Sequence, residues 1–172
     1  MRTASQEKPS LVPNAQASTR KAPSKHQPKA KRYYFDVGLG SVCLSGTDTG
    51  GAYCLLEVSL APGMSVPRHM HTREDEVYFV LTGELEVTVG EKVFVLRPGD
   101  TLLAPHDIPH KLRNSGNTTN HYLLGFSPSG FEEFVMATAV PAPDNAVAPT
   151  KPPAVAVRNV HELAADYGIV FS

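Results

Sequence analysis

HMHTREDEVYFVLTG, residues 69–83, is the stretch from which the rest of the chain is read. His69 and His71 alternate, and a carboxylate, Glu76, follows five positions after the second histidine. The segment is rich in Val, Tyr, Phe and Thr and closes on Gly83, which predicts strand, turn, strand. Side chains alternate faces along a strand, so His69 and His71 point the same way. The TRED turn lets the chain fold back, and Glu76 then faces the same space from the next strand. Two imidazoles and a carboxylate thus converge from a hairpin. Such a donor set suits one divalent transition metal, whether iron, manganese, nickel, cobalt, copper or zinc, and it wants a fourth ligand.

Outward from this stretch the pattern repeats. From Tyr33 on, YYFDVG, SVCLSG, AYCLLEVSL, ELEVTVG, KVFVLRPGD, TLLAPHD, HKLRN and NHYLLGFS follow one another. Each is short, β-branched or aromatic, and bounded by Gly, Pro, Asp or Asn. Short strands at regular spacing, with no helical pattern between them, predict an all-β sandwich or barrel and exclude an α/β fold. SPSGFEEFVM then predicts a short helix over about 130–137, with Ser129 and Glu132 as a capping box. The Pro/Ala-rich stretch that follows predicts an extended surface linker. NVHELAADYG predicts a terminal helix with Asn159 as cap, Gly168 as stop, and Val160, Leu163, Ala164 and Tyr167 on one face. That face packs on the barrel or on a partner subunit. The organisation expected is a basic tail over 1–32, a barrel with its short helix over 33–137, and an extension with a terminal helix over 138–172.

At 172 residues, with 41% hydrophobic residues, the chain suffices for one packed domain. There is no apolar run of about 18 residues, so no membrane span is expected, and the N-terminal region lacks the apolar core of a secretory signal. Cytoplasmic residence is the default expectation. The net charge of −1 hides an asymmetry: residues 1–32 carry eight Lys or Arg against one acid, and the remainder eight against sixteen. Without aromatic interleaving or helical periodicity, the basic tail reads as a solvated, disordered extension rather than a nucleic-acid-binding element. If TDTGG (47–51) is a hairpin turn, Cys43 and Cys54 fall opposite each other. A disulfide or redox pair is then conceivable, although two small buried thiols in a reducing compartment are the simpler reading.

The second chemical stretch is RPGDTLLAPHDIPHKLRN, 97–114, where a turn, a strand and Pro109 lead into His110. With it the chain resembles a single-domain cupin. The family's first motif runs Gly, five residues, His-x-His, three or four residues, Glu, six residues, Gly; here these are Gly63, His69, His71, Glu76 and Gly83. The second runs Gly, five residues, Pro-x-Gly, two residues, His, three residues, Asn; here these are Gly99, Pro105, His110 and Asn114, with Asp107 in place of the motif glycine. Asp tolerates turn backbones, so this departure touches local turn geometry only. The resemblance covers about residues 33–137. It implies a double-stranded β-helix, or jelly-roll barrel, with His69, His71, Glu76 and His110 as metal ligands. A lone His-x-His is ordinarily a surface pair or a satisfied polar pair; the other two positions in register point to metal. His106 is expected near the barrel mouth or in an exposed turn, and His26, His121 and His161 have no evident partners.

Within the cupins, TGGAYCLLEVSLAPG, TREDEVYFVLTGELEV, FSPSGFEEF and HELAADYGIVF are similar to the bacterial quercetin dioxygenase-like group. The resemblance implies an oxidoreductase that cleaves a small enolisable or aromatic substrate, such as a flavonol, with dioxygen. Glu76 then serves as both ligand and general base. Beside the ligands, Tyr78, Val80, Leu112 and Phe126 are expected to line the pocket, with Phe131 and Phe134 closing one end. Two rival readings use the same site: non-redox Lewis-acid isomerisation, decarboxylation or lyase chemistry, and non-catalytic small-molecule binding. Exposed sheet edges and the family's habit imply a homodimer, with residues 33–45 or the C-terminal helix contributing.

Overall fold

Period-two burial decides which face of each strand lies inside. The computed structural model describes residues 30–35, 37–151 and 153–172; the expectation for the basic tail lies outside them up to residue 29. In order the chain forms β1 (Arg32–Tyr34), β2 (Leu39–Leu44), a short helix α1 (Gly46–Thr49), β3 (Cys54–Leu60), β4 (Ser65–His71) and β5 (Asp75–Thr82). There follow β6 (Leu85–Val89), β7 (Lys92–Leu96), β8 (Thr101–Ala104), β9 (His110–Arg113) and β10 (Asn120–Ser127). The C-terminal part adds α2 (Phe131–Thr138), β11 (Val140–Pro141), α3 (Ala154–Leu163), a 3₁₀ turn (Ala164–Tyr167) and β12 (Ile169–Phe171).

The strands make two antiparallel sheets, one ordered β11-β1-β2-β3-β10-β5-β8 and the other β12-β4-β9-β6-β7. Glu76, Tyr78 and Val80 of β5 point inward, and Tyr122, Leu124 and Phe126 do the same from the neighbouring β10. They meet Leu85, Val87 and Leu112 from the facing sheet in one core. Burying side chains of this size contributes roughly 1.5–3 kcal/mol each, the main term holding the sheets together. The outward residues of β5, Val77, Phe79 and Leu81, remain exposed.

Two buried asparagines tie loops to this frame. Asn114 Nδ2 donates to the carbonyls of Leu60 and Thr118, each at 2.8 Å. Asn120 Nδ2 donates to the Glu84 carbonyl, and its Oδ1 accepts from Leu60 N–H. Gly83 turns the chain between β5 and β6 at φ 77°, and a Cβ there would lie 2.8 Å from Asn120 Cα.

Several local expectations are corrected. The His69–Glu76 stretch is not a hairpin: β4 lies in the five-stranded sheet and β5 in the seven-stranded one, so the TRED segment crosses the barrel. TDTGG does not form a two-strand turn. Ser45 and Asp48 make a capping box there, which nucleates α1, and Gly50 ends it in the left-handed conformation. The β2–β3 register then shifts between Val42 and Leu44, which leaves Cys43 out of the pairing. Cys43 and Cys54 are free thiols.

Ser129 does not cap α2 either. Gly130 precedes the helix, and Glu132 bonds back to the Gly130 N–H and across to the Gly46 N–H. Asn159 is interior to α3, which begins at Ala154 because the AVAV run continues the helix. Gly168 stops the last turn in the left-handed conformation, as expected. Val160 and Ala164 pack with Phe134 and Ile169, so this face covers the chain's own barrel. Among the described residues no helix is long and apolar enough to cross a membrane.

Candidate metal centre

His69, His71, Glu76 and His110 come together, each buried, each offering one donor atom within 4.8 Å of the others. Strand register explains the meeting. His69 of β4 pairs directly with His110 of β9, and His71 lies two residues along the same inward face. Glu76 reaches the same point from β5 in the opposite sheet. The ring centroids of His69 and His110 are 4.4 Å apart, those of His69 and His71 5.3 Å.

Outer contacts fix the tautomers of two rings. His69 Nδ1 lies 2.8 Å from the Pro67 carbonyl and His110 Nδ1 2.9 Å from the Ile108 carbonyl. A carbonyl only accepts, so each Nδ1 carries a proton and each Nε2 faces inward. Glu76 Oε2 lies 2.9 Å from His110 Nε2 and 3.6 Å from His71 Nε2. Even so, neither nitrogen nor that oxygen makes a hydrogen bond. Buried acceptors facing one another without donors repel, and only a shared proton or a cation between them relieves this.

The charge states agree with that reading. Burial lowers the His69 imidazole below its usual range and takes His71 down to about 4, so both keep free lone pairs at neutral pH. Burial also works against a charge on His110, but its contact with Glu76 outweighs this and raises it. Burial pushes Glu76 up, and the surrounding imidazoles more than reverse the shift, holding it ionised. Behind Glu76 lies the fully buried Tyr78 hydroxyl. Burial, and then the Glu76 charge, push it well above its ordinary range. Three nitrogens and one anionic oxygen around one point fit a divalent transition metal.

His69, His71 and Glu76 open onto a cavity of about 80 Å³. Its wall is almost wholly apolar, and among the described residues that line it there is no Lys or Arg. Leu112 lines it, as do Tyr122 and Leu124. Tyr78, Val80 and Phe126 are fully buried nearby but do not border the space. Phe126 instead stacks on Phe131 at 4.0 Å and meets the His71 ring edge-on.

Much of the wall comes from the C-terminal segment: Phe131, Phe134, Val160, Ile169 and Phe171 all line it. The sequence pattern gave no sign of β12, which is only three residues long and is held by pairing with β4 opposite His69 and His71. Asp107 adopts φ 60°, the left-handed region its place in the motif demands, and its N–H donates to the His71 carbonyl at 2.7 Å. His106 is exposed and pairs with Asp75 at 2.7 Å. His121 lies 2.8 Å from Ser59 Oγ, and His161 packs on Phe171; neither joins the cluster.

Comparison with known proteins agrees with this geometry. Residues 56–126 match the cupin domain family. The quercetin 2,3-dioxygenase of Bacillus subtilis (strain 168) is 28% identical over 102 residues, covering 59% of this chain and 30% of that protein. Oxalate oxidase 1 of Hordeum vulgare is 33% identical over 90 residues, 48% of this chain and 44% of that protein. The chain therefore spans less than half the length of either relative. A structure described as a predicted oxalate decarboxylase from Thermotoga maritima superposes with a TM-score of 0.54 at 23% identity, covering 58% of this chain and 94% of that one. At that identity the likeness speaks for the fold alone. The cupin match is to residues 56–126, the span from β3 to β10 that holds all four clustered donors.

Proposed function

We propose that this cupin chain is a metal-dependent oxidoreductase, a dioxygenase of small enolisable molecules, with His69, His71, Glu76 and His110 as its metal ligands. The observation that carries the reading is a complete buried donor set opening on an apolar cavity. The likeness to quercetin 2,3-dioxygenase supports the choice of reaction. A metal held there supplies an acidic coordination position and, if redox-active, access to dioxygen chemistry.

The chain's own groups do the rest. Glu76, held ionised by the surrounding imidazoles, accepts the proton of a substrate hydroxyl or enol. The apolar wall excludes water, which strengthens each electrostatic contact inside. It also orients an uncharged substrate body, with its one ionisable oxygen toward the donors.

Size narrows the substrate. An apolar cavity of roughly 150 Å³ takes up benzene, and this one measures about 80 Å³. A small enolisable ketone suits it; a flavonol requires the C-terminal wall to move. No Lys or Arg is among the described lining residues, which disfavours dicarboxylates such as oxalate, whose second charge would be left unpaired there.

Metal content by mass spectrometry, followed by oxygen uptake with small α-hydroxyketones and with 3-hydroxyflavone, tests the proposal. Near one equivalent of iron, manganese, nickel, cobalt or copper with substrate-dependent uptake is expected, and Glu76→Gln should largely abolish it. Bound metal without uptake would transfer the site to Lewis-acid or binding chemistry, and no bound metal would remove the ligand assignment.

A further inference from the structure

His71 differs from the other two imidazoles on its outer side. The Nδ1 atoms of His69 and His110 are each held by a carbonyl two residues earlier in the chain, whereas His71 Nδ1 has no hydrogen-bond partner. The nearest acceptor is Glu74. The residue is 4% exposed, its Oε2 is likewise without a hydrogen bond, and that atom lies 3.8 Å from His71 Nδ1. A buried polar atom left unpaired is destabilising. Two such atoms facing each other, and no closer partner for either, complete one another.

The packing leaves room for this contact. Gly130, at the start of α2, adopts φ 149°, and a Cβ there would stand 3.0 Å from Glu74 Oε1. Glu74 Oε1 therefore lies against the start of α2, whose Gly130 N–H is taken by Glu132. It approaches the ring from the Nδ1 side, away from Glu76, whose Oε2 faces Nε2.

We propose that Glu74 is a positioning residue for His71. Its carboxylate accepts the Nδ1–H, after a small side-chain rotation or through one water, and so aims the Nε2 lone pair into the donor cluster. This rests on the metal-site reading for its purpose; its geometry rests on the 3.8 Å approach of Glu74 Oε2 to His71 Nδ1. With it, each of the three imidazoles has a fixed tautomer: two through backbone carbonyls, one through a carboxylate.

The test compares wild type, Glu74→Gln and Glu74→Leu. Nitrogen NMR of the metal-free proteins reports the His71 tautomer, and chelator competition reports the affinity for Co²⁺. Wild type should carry the His71 proton on Nδ1. Glu74→Leu, of similar volume but without an acceptor, should lose that preference and bind Co²⁺ about 10–100-fold more weakly, the usual consequence of removing such a partner. Glu74→Gln, which keeps an acceptor oxygen, should retain the tautomer and lose less affinity.

An unchanged tautomer and unchanged affinity in Glu74→Leu would overturn the assignment. So would equal affinity losses in both variants with the tautomer preserved, which would mark a merely structural role. If Glu74→Leu does not fold, Glu74→Ala takes its place: loss of the Nδ1 preference with weaker Co²⁺ binding supports the proposal, and a retained preference overturns it. If wild type binds no Co²⁺, the metal reading fails separately, and the tautomer comparison still decides the Glu74–His71 contact.

Discussion

Phe171 is the residue whose removal best tests whether the C-terminal segment sets the size of the substrate. It ends β12, pairs through its backbone with His69, and lines the cavity with its ring 5.9 Å from the His69 imidazole. Phe171→Ala keeps the strand pairing but removes a benzene-sized group from the wall. Because a cavity of roughly 150 Å³ accommodates benzene, losing the ring should enlarge the present space of about 80 Å³ enough to admit one. A fully buried Phe→Ala change costs about 3–5 kcal/mol, and the half-buried Phe171 should cost about 2 kcal/mol. The protein should therefore remain folded at 25 °C, with its urea midpoint lowered.

The ligand side has its own magnitude. Burying a phenyl-sized group gives roughly 1.5–3 kcal/mol, which is about ten- to a hundredfold in affinity. The fluorescence of 3-hydroxyflavone, titrated with Zn²⁺-loaded protein, should show tighter binding to Phe171→Ala than to wild type by at least about tenfold. Zn²⁺ affinity should be unchanged. If the variant is folded, binds Zn²⁺ normally and takes up the flavonol no better than wild type, the reasoning about the wall is refuted.

Three further outcomes follow from local geometry. Gly83→Ala combines a left-handed backbone with a methyl 2.8 Å from Asn120; strain and overpacking together should cost about 2–4 kcal/mol in urea unfolding. A change below about 0.5 kcal/mol would mean that the β5–β6 turn is not held as described. At Asp107, φ 60° favours glycine: Asp107→Gly should stay within about 1 kcal/mol of wild type and Asp107→Val should lose about 2 kcal/mol. Equal stability of the two would show that the loop relaxes. Finally, burial and the neighbouring Glu132 carboxylate push the Cys54 thiol up to about 12. It should resist iodoacetamide at pH 8 in the folded protein and react after denaturation; rapid labelling of Cys54 in native protein would contradict its placement.

Sequence and tertiary structure divide the description of this protein along physical lines. Strand alternation is local, so the inward set Glu76, Tyr78 and Val80 and the pairing of His69 with His71 on one face were legible from residue type and spacing alone. So were the all-β class and the left-handed turn at Gly168, since turn chemistry is written in Gly, Pro and Asp. The motif spacing brought in His110 by resemblance, and the barrel places it beside His69.

Sheet membership was not legible. A turn such as TRED serves equally to close a hairpin or to carry the chain across a barrel, and only the packing of two whole sheets chooses. That choice sets Glu76 opposite the histidines rather than beside them. Nor could the sequence tell that Glu74, in the turn just before Glu76, would be buried as well. The distant C-terminal residues, above all the short β12, gain their place at the cavity through long-range pairing that no local pattern encodes.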